Sequence, residues 1–366
     1  MKLHRRIGLF IIGILVLELF VFANDAWSSV NGGDYGIVIE GFDWGPAVSK
    51  VVLLNVDLPS TNESSYSVSV ERSSDRAKIK ERDAKGERQI LYMYRSDARG
   101  HRIEDGKHLT LVLVVAPNMP LCSPIQYSRG QGGGRNNWID YKISIRDKKS
   151  DLVWDHEVNR IMPLIDDFDL TGSFTHGDVE MSFASFSPQS DQLQNPLIIW
   201  LHGGGEGGVD PTIPLIANKA ANYAASDIQV YFNGAYVLVP QCPGAWMHNR
   251  QGVSTRGKEN DMYNEGLMAL IQNFVETHPD IDQDRIYIGG CSNGGYMSLK
   301  LILNHPEYFA AGFISALAYR SQYLSDEQIA SIIHVPIWFI HSMDDATTVP
   351  EKTVVPVYER LLAAGA

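Results

Sequence analysis

Gly290-Cys291-Ser292-Asn293-Gly294 follows the apolar run Arg285-Ile286-Tyr287-Ile288-Gly289 and precedes a helix-like stretch over residues 295–305. The order is strand, tight turn, helix. In that setting a G-x-S-x-G turn pushes a serine hydroxyl out of the chain at the end of a parallel strand. The glycines fit because a side chain there would collide with the strand or helix being joined. The motif alone is common, and an incidental serine in a glycine-rich turn reads the same. The flanking strand and helix favour Ser292 as a nucleophile. Centring the motif on Cys291 instead loses the closing glycine, so a thiol nucleophile fits less well.

A second stretch supports acyl transfer. Pro196-Leu197-Ile198-Ile199-Trp200-Leu201 has the continuous apolar character of a strand buried on both faces. It runs into His202-Gly203-Gly204-Gly205-Glu206-Gly207-Gly208, with five glycines in seven residues. Such a loop leaves main-chain N–H groups uncovered, which the oxyanion of a tetrahedral intermediate requires. The N–H of Asn293 would supply one donor, and Gly205 or Glu206 the other. A phosphate-cradling loop is the competing reading. No helical period follows the glycines, and no lysine stands where such a loop needs one.

A third stretch, Pro336-Ile337-Trp338-Phe339-Ile340-His341, is another buried-strand pattern, ending in Ser342-Met343-Asp344-Asp345. An acid at the end of a strand after the nucleophile strand is placed to orient a catalytic histidine. Asp345 is preferred over Asp344 for its H-x-x-x-D spacing from His341, although Ala346-Thr347-Thr348 disturbs that register. In enzymes built on such a turn the chain order is serine, acid, histidine. No histidine follows Asp345 in the 366 residues. The expectation is therefore that the chain is C-terminally incomplete, with the base on a further strand and loop. Trp246, just after Pro240-Gln241-Cys242-Pro243, is a candidate for lining the substrate pocket or for packing in the core.

The rest of the chain sets bounds. A formal charge of −12 argues against nucleic acid and against an anionic membrane surface. Lys2, His4, Arg5 and Arg6 precede an apolar stretch over residues 7–22, and cleavage after Ala23 fits a signal peptide. This predicts a secreted or periplasmic protein, with an uncleaved anchor as the alternative. Three cysteines, Cys122, Cys242 and Cys291, do not suggest a disulfide framework. No metal or organic cofactor is called for.

Residues 33–161 show short alternating runs separated by turn residues, the pattern of a β-sandwich. The glycine-rich stretch 130–137 reads as a loop, and nothing in the region suggests catalysis. Residues 166–178 are acidic and turn-rich, a candidate linker. Beyond 178, strand-like runs alternate with helix-period segments, including a helix over 259–278, which predicts a parallel sheet with helices on both faces. The expected domains are thus a signal peptide at 1–23, an all-β domain at 33–165 and an α/β domain at 178–366.

The HGGGEGG loop, Val239-Pro240-Gln241-Cys242-Pro243, the run from Asp284 through Gly290-Cys291-Ser292-Asn293-Gly294-Gly295-Tyr296-Met297, and residues 336–350 together resemble secreted α/β-hydrolase esterases of the polyhydroxybutyrate-depolymerase-like group. Asp43-Trp44-Gly45-Pro46-Ala47-Val48 and Tyr94-Arg95-Ser96-Asp97-Ala98-Arg99-Gly100 resemble the immunoglobulin-like domain fused to some of them. The resemblance implies an α/β-hydrolase fold behind an immunoglobulin-like sandwich. It also implies Ser292 as nucleophile, Asp345 as acid, an oxyanion hole from the glycine loop and Asn293, and a small-molecule or polymer-linked ester as substrate. A serine peptidase of prolyl-oligopeptidase type and a non-catalytic binding protein are the alternatives.

Overall fold

The computed structural model describes residues 32–56, 62–130, 133–189 and 193–366. The segment read as a signal peptide lies outside the described residues. Among those described, no helix is long and apolar enough to cross a membrane.

The N-terminal strands are β1 (Gly32–Phe42), β2 (Gly45–Leu53), β3 (Tyr66–Ser73), β4 (Lys85–Arg88) and β5 (Ile90–Ser96). They continue with β6 (His108–Leu113), β7 (Ile125–Gly130), β8 (Gly133–Trp138), β9 (Asp140–Asp147) and β10 (Val153–Ile161). Eight of them hydrogen-bond in the order β4-β3-β9-β10-β1-β2-β6-β5, and β7 and β8 form a separate two-stranded sheet among the described residues. Alternation sets which face is buried. Val68 and Val70 of β3 lie opposite Ile145 and Ile143 of β9 and are buried, while Ser69 between the two valines and the next pair, Glu71 and Lys142, are exposed. The sheet folds over that apolar face, giving the immunoglobulin-like sandwich.

The second unit comprises β11 (Asp169–His176), β12 (Val179–Phe186), β13 (Asn195–Leu201), α1 (Thr212–Ala217), α2 (Ser226–Phe232) and β14 (Tyr236–Gln241). Then come α3 (Asn264–Thr277), β15 (Ile281–Cys291), α4 (Asn293–Asn304), β16 (Ala311–Ser315), α5 (Asp326–Ala330), β17 (Ile337–Ile340) and α6 (Val354–Ala364). Its seven-stranded sheet has the order β11-β12-β14-β13-β15-β16-β17. Strands β14, β13, β15, β16 and β17 run parallel, with β11 and β12 antiparallel at one edge. Every residue of β13 and β14 is buried, because helices or the sandwich cover both faces. That is why these strands read as unbroken apolar runs. The whole is an α/β-hydrolase fold behind an immunoglobulin-like domain.

The topology fixes where a site can lie. From β13 the chain goes first to β14 on one side and then to β15 on the other. The carboxyl ends of β13 and β15 therefore border a switch point, where open parallel sheets bind ligands. Leu201 and Gly290 are paired at that edge, so the loop after β13 and the turn after β15 emerge side by side.

Three expectations are corrected. Residues 130–137 belong largely to the β7–β8 hairpin rather than to a loop. The proposed linker at 166–178 carries β11, so the second sheet starts at Asp169, ahead of 178. The helix expected from 259 starts at Asn264, because Asp261 is buried and accepts hydrogen bonds from Thr255 Oγ1 at 2.5 Å and the Tyr296 hydroxyl at 2.6 Å.

The two domains share a core. Ile37, Val68 and Ile145 of the sandwich belong to one apolar cluster with Leu215, Ile216, Val237 and Val239. At the far edge of the sheet, Trp338 and Ile340 of β17 are exposed. An apolar groove of about 1350 Å³ runs there, lined by Trp200, Phe313, Trp338 and Tyr358 among others. None of its lining residues belongs to the glycine loop or the serine turn.

Candidate active site

Ser292 joins β15 to α4 with φ 55° and ψ −110°, a conformation that costs an L-residue roughly 1–3 kcal/mol. The strain is imposed from outside. A Cβ on Gly294 would sit 1.9 Å from Leu201 O, and one on Gly290 would sit 2.6 Å from both Leu201 O and Gly294 C. The bend is thus pressed against the end of β13, and the Ser292 N–H donates to Ser315 O at 2.9 Å. Ser292 occupies the N-cap position of α4, yet its side chain makes no capping bond. A serine kept for capping would accept from the first turn. Ser292 instead stays half-buried, and its hydroxyl has no partner among the described residues.

The glycine loop lies against that bend. A Cβ on Gly203 would be 3.6 Å from Cys291 O, and one on Gly204 3.9 Å from the Asn293 Cβ. Asn293 opens α4, so its N–H has no acceptor within the helix and lies at the positive end of the helix dipole. In the loop the N–H groups of Gly204 and Gly205 have no partner among the described residues. The Glu206 N–H does: it donates to Gly203 O at 3.3 Å. Of the two expected loop donors Gly205 is free, whereas Glu206 is spent on closing the turn. Gly204, which sequence reading passed over, stands as the adjoining free amide.

The Glu206 side chain is buried, which pushes its carboxyl up from the usual range. Hydrogen bonds from Asn136 and from the Gly203 main chain act in the opposite direction. Burial likewise pushes the Cys291 thiol up to about 11, with Glu206 and Asp345 adding repulsion. A thiol so held is protonated and a poor nucleophile.

His202 is fully buried and both ring nitrogens are engaged. Nδ1 donates to Gly203 O at 2.6 Å, and Nε2 accepts from the Cys242 N–H at 3.2 Å. Burial depresses its pKa to about 4, so the ring is neutral. It pins the loop and has no lone pair left for Ser292. His248 accepts from the Ala245 N–H at 3.2 Å. Among the described residues, no histidine hydrogen-bonds the Ser292 hydroxyl.

Asp345 closes the turn after β17. Its Oδ1 accepts from Thr347 N at 2.8 Å and Thr348 N at 3.0 Å, and its Oδ2 accepts from the Thr348 hydroxyl. These bonds, the Thr348 hydroxyl first, hold its carboxyl below the usual range. Residues 346–348, which disturbed the sequence register, are therefore what fixes the carboxylate. Its field reaches Cys291, the neighbour of Ser292. Asp344 is exposed and, among the described residues, accepts a hydrogen bond only from Ser342 Oγ, at 2.5 Å.

The pocket expectation for Trp246 is corrected. Trp246 is fully buried, its Nε1 donates to His202 O at 3.0 Å, and its ring meets Tyr263 edge-on. It presents no surface to a substrate.

Comparison with known proteins bears on the fold and on the broad class. Residues 34–156 match the esterase Ig-like N-terminal domain, and residues 233–329, which contain Ser292, match the prolyl oligopeptidase family. The chain has no significant match among curated proteins. Among solved structures, a thermostable esterase superposes with a TM-score of 0.73 at 23% identity, over 91% of this chain and 88% of that one. That likeness shows the two-domain fold. An acylaminoacyl peptidase of Pyrococcus horikoshii is similar with a TM-score of 0.40 at 18% identity, over 53% of this chain and 34% of that one. The two family matches support a serine hydrolase.

Proposed function

We propose that this protein is a carboxylic ester hydrolase that forms an acyl-enzyme on Ser292. The observation that carries the proposal is a strained, uncapped serine hydroxyl beside free main-chain N–H groups from a separate loop. Ser292 Oγ attacks the acyl carbon, and the carbonyl oxygen gains the negative charge. The N–H of Asn293 and those of Gly204 and Gly205 receive that charge. The intermediate collapses by expelling the alcohol, and water then releases the acid from Ser292. Asp345 orients the histidine that takes the serine proton. Among the described residues, no histidine hydrogen-bonds the Ser292 hydroxyl to fill that base. The proposed substrate is a small-molecule or polymer-linked ester met outside the cytoplasm after export.

The test is hydrolysis of p-nitrophenyl butyrate by the purified protein. Ser292→Ala should abolish turnover, and an unchanged rate would remove Ser292 from the mechanism. A peptidase reading draws on the prolyl oligopeptidase match over residues 233–329. Rates on an ester and an anilide of one acyl group separate the two, with faster amide cleavage favouring the peptidase. Absence of Ser292-dependent turnover on either would favour a binding protein.

A further inference from the structure

The structure assigns a role in the active site to the N-terminal domain. We infer that the β7–β8 hairpin positions the oxyanion loop, acting through Asn136 and Arg135. The inference rests on the reading of residues 203–208 as that loop.

A segment with so many glycines loses more conformational freedom on ordering than any other. Donors must nevertheless be fixed in advance to stabilise a developing charge. Something has to hold the loop, and the hairpin holds three consecutive residues of it. The Asn136 N–H donates to Gly205 O at 2.7 Å. Asn136 Nδ2 donates to Glu206 Oε1 at 2.8 Å. Arg135 Nη1 donates to Gly207 O at 2.6 Å, and Nη2 donates to Pro243 O at 2.7 Å. The guanidinium fork thus ties the glycine loop to the loop after β14, with the planar geometry that makes arginine suited to two acceptors. Tyr127 of β7 flanks the same peptide: a Cβ on Gly205 would meet its ring at 3.3 Å.

The chemistry gives these contacts a purpose. Gly205 supplies one free N–H, and fixing its carbonyl limits rotation of the residue that carries that donor. Glu206 is a buried acid within the loop. Turned toward the reacting carbonyl, its carboxylate would oppose the oxyanion. Asn136 holds it on the opposite course, toward Gly203. The bond from Trp138 Nε1 to Thr212 Oγ1 at 2.9 Å joins the same hairpin to α1 without touching the loop, and serves as an internal control.

The test compares Asn136→Ala, Arg135→Ala, Arg135→Lys and Trp138→Phe in the full chain. Two readouts are used: kcat and KM for p-nitrophenyl butyrate, and deuterium exchange of peptides covering residues 202–210. Asn136→Ala and Arg135→Ala should lower kcat about tenfold or more with KM within about twofold, and should speed exchange at the Glu206 and Gly208 amides. Arg135→Lys should recover part of both effects, and Trp138→Phe should leave both near the starting values. Unchanged exchange at residues 202–210 in Asn136→Ala and Arg135→Ala overturns the inference, as does an equal kcat loss in Trp138→Phe. If the parent chain shows no Ser292-dependent turnover, the esterase reading fails instead, and exchange alone decides whether the hairpin holds the loop.

Discussion

The Trp246 N–H donates to Asn293 Oδ1 at 2.6 Å, so the residue after the nucleophile is held by its side chain from behind. Its own N–H, at the start of α4, has no acceptor within the helix. Trp246 is in turn fixed by the bond from its indole to His202 O. One buried residue therefore links the glycine loop to the serine turn, through its indole on one side and its main-chain N–H on the other.

Trp246→Phe removes the donor to His202 O and also leaves a cavity where the bicyclic indole packed, which adds to the loss. Leaving that buried carbonyl short of a partner should cost about 1–3 kcal/mol of stability. Urea unfolding should show the loss, while KM for a short-chain ester stays unchanged. A raised KM with unaltered stability would return Trp246 to the substrate pocket.

Ser292 sits at φ 55°, where glycine is relaxed and alanine is not. Ser292→Gly should therefore be more stable than Ser292→Ala by about 1 kcal/mol, after the greater flexibility of unfolded glycine is counted. Both should lack hydrolysis. Thermal unfolding of the pair measures the strain stored at the turn, and equal stabilities would mean that none is stored.

The two neighbouring acids should separate cleanly. Asp345→Asn should reduce kcat by about 10³–10⁴, the usual consequence of a wrongly oriented base. Asp344→Asn should stay within about twofold, since Asp344 is exposed and, among the described residues, bonds only Ser342. Steady-state kinetics on the two variants decides, and the reverse ranking would move the triad role to Asp344.

His202 gives the fold an acid-sensitive point. Its folded pKa is depressed from 6.5 to about 4 by burial. The unfolded chain takes up the proton first as pH falls. The stability that His202 contributes is complete above pH 6.5 and is lost progressively as pH falls through about 4, by about 3 kcal/mol in total. Urea midpoints at pH 7.5, 6 and 4.5 should fall in that order. In His202→Asn, which carries no such proton, the decline should be shallower. An identical pH profile would show that another group is responsible.

Much of the candidate site was legible in local sequence. The serine turn, the glycine loop and the acid after β17 are each decided within a few residues, because steric demands on a bend and exposure of main-chain amides are short-range. The continuous apolar runs likewise identified β13, β14 and β15, since a strand covered on both faces has no polar side to alternate with. Reading failed where a partner lies far along the chain. Residues 130–137 look like a flexible loop until Trp138 pairs with Ile125 and the strands rest on the loop 70 residues on. The acidic stretch before 178 looks like a linker until β12 gives β11 a partner.

Sequence by itself determined the candidate nucleophile, the candidate acid, the order of the central strands and helices, and the presence of a glycine-rich loop beside the serine turn. Tertiary structure decided which loop amides remain free, that Trp246 is a buried strut, that His202 is a pin rather than a base, and that the N-terminal domain grips the loop through Asn136 and Arg135. The division has a physical cause. Backbone conformation is set by near neighbours, whereas the availability of a hydrogen-bonding group depends on every group that folding brings within about 3 Å of it.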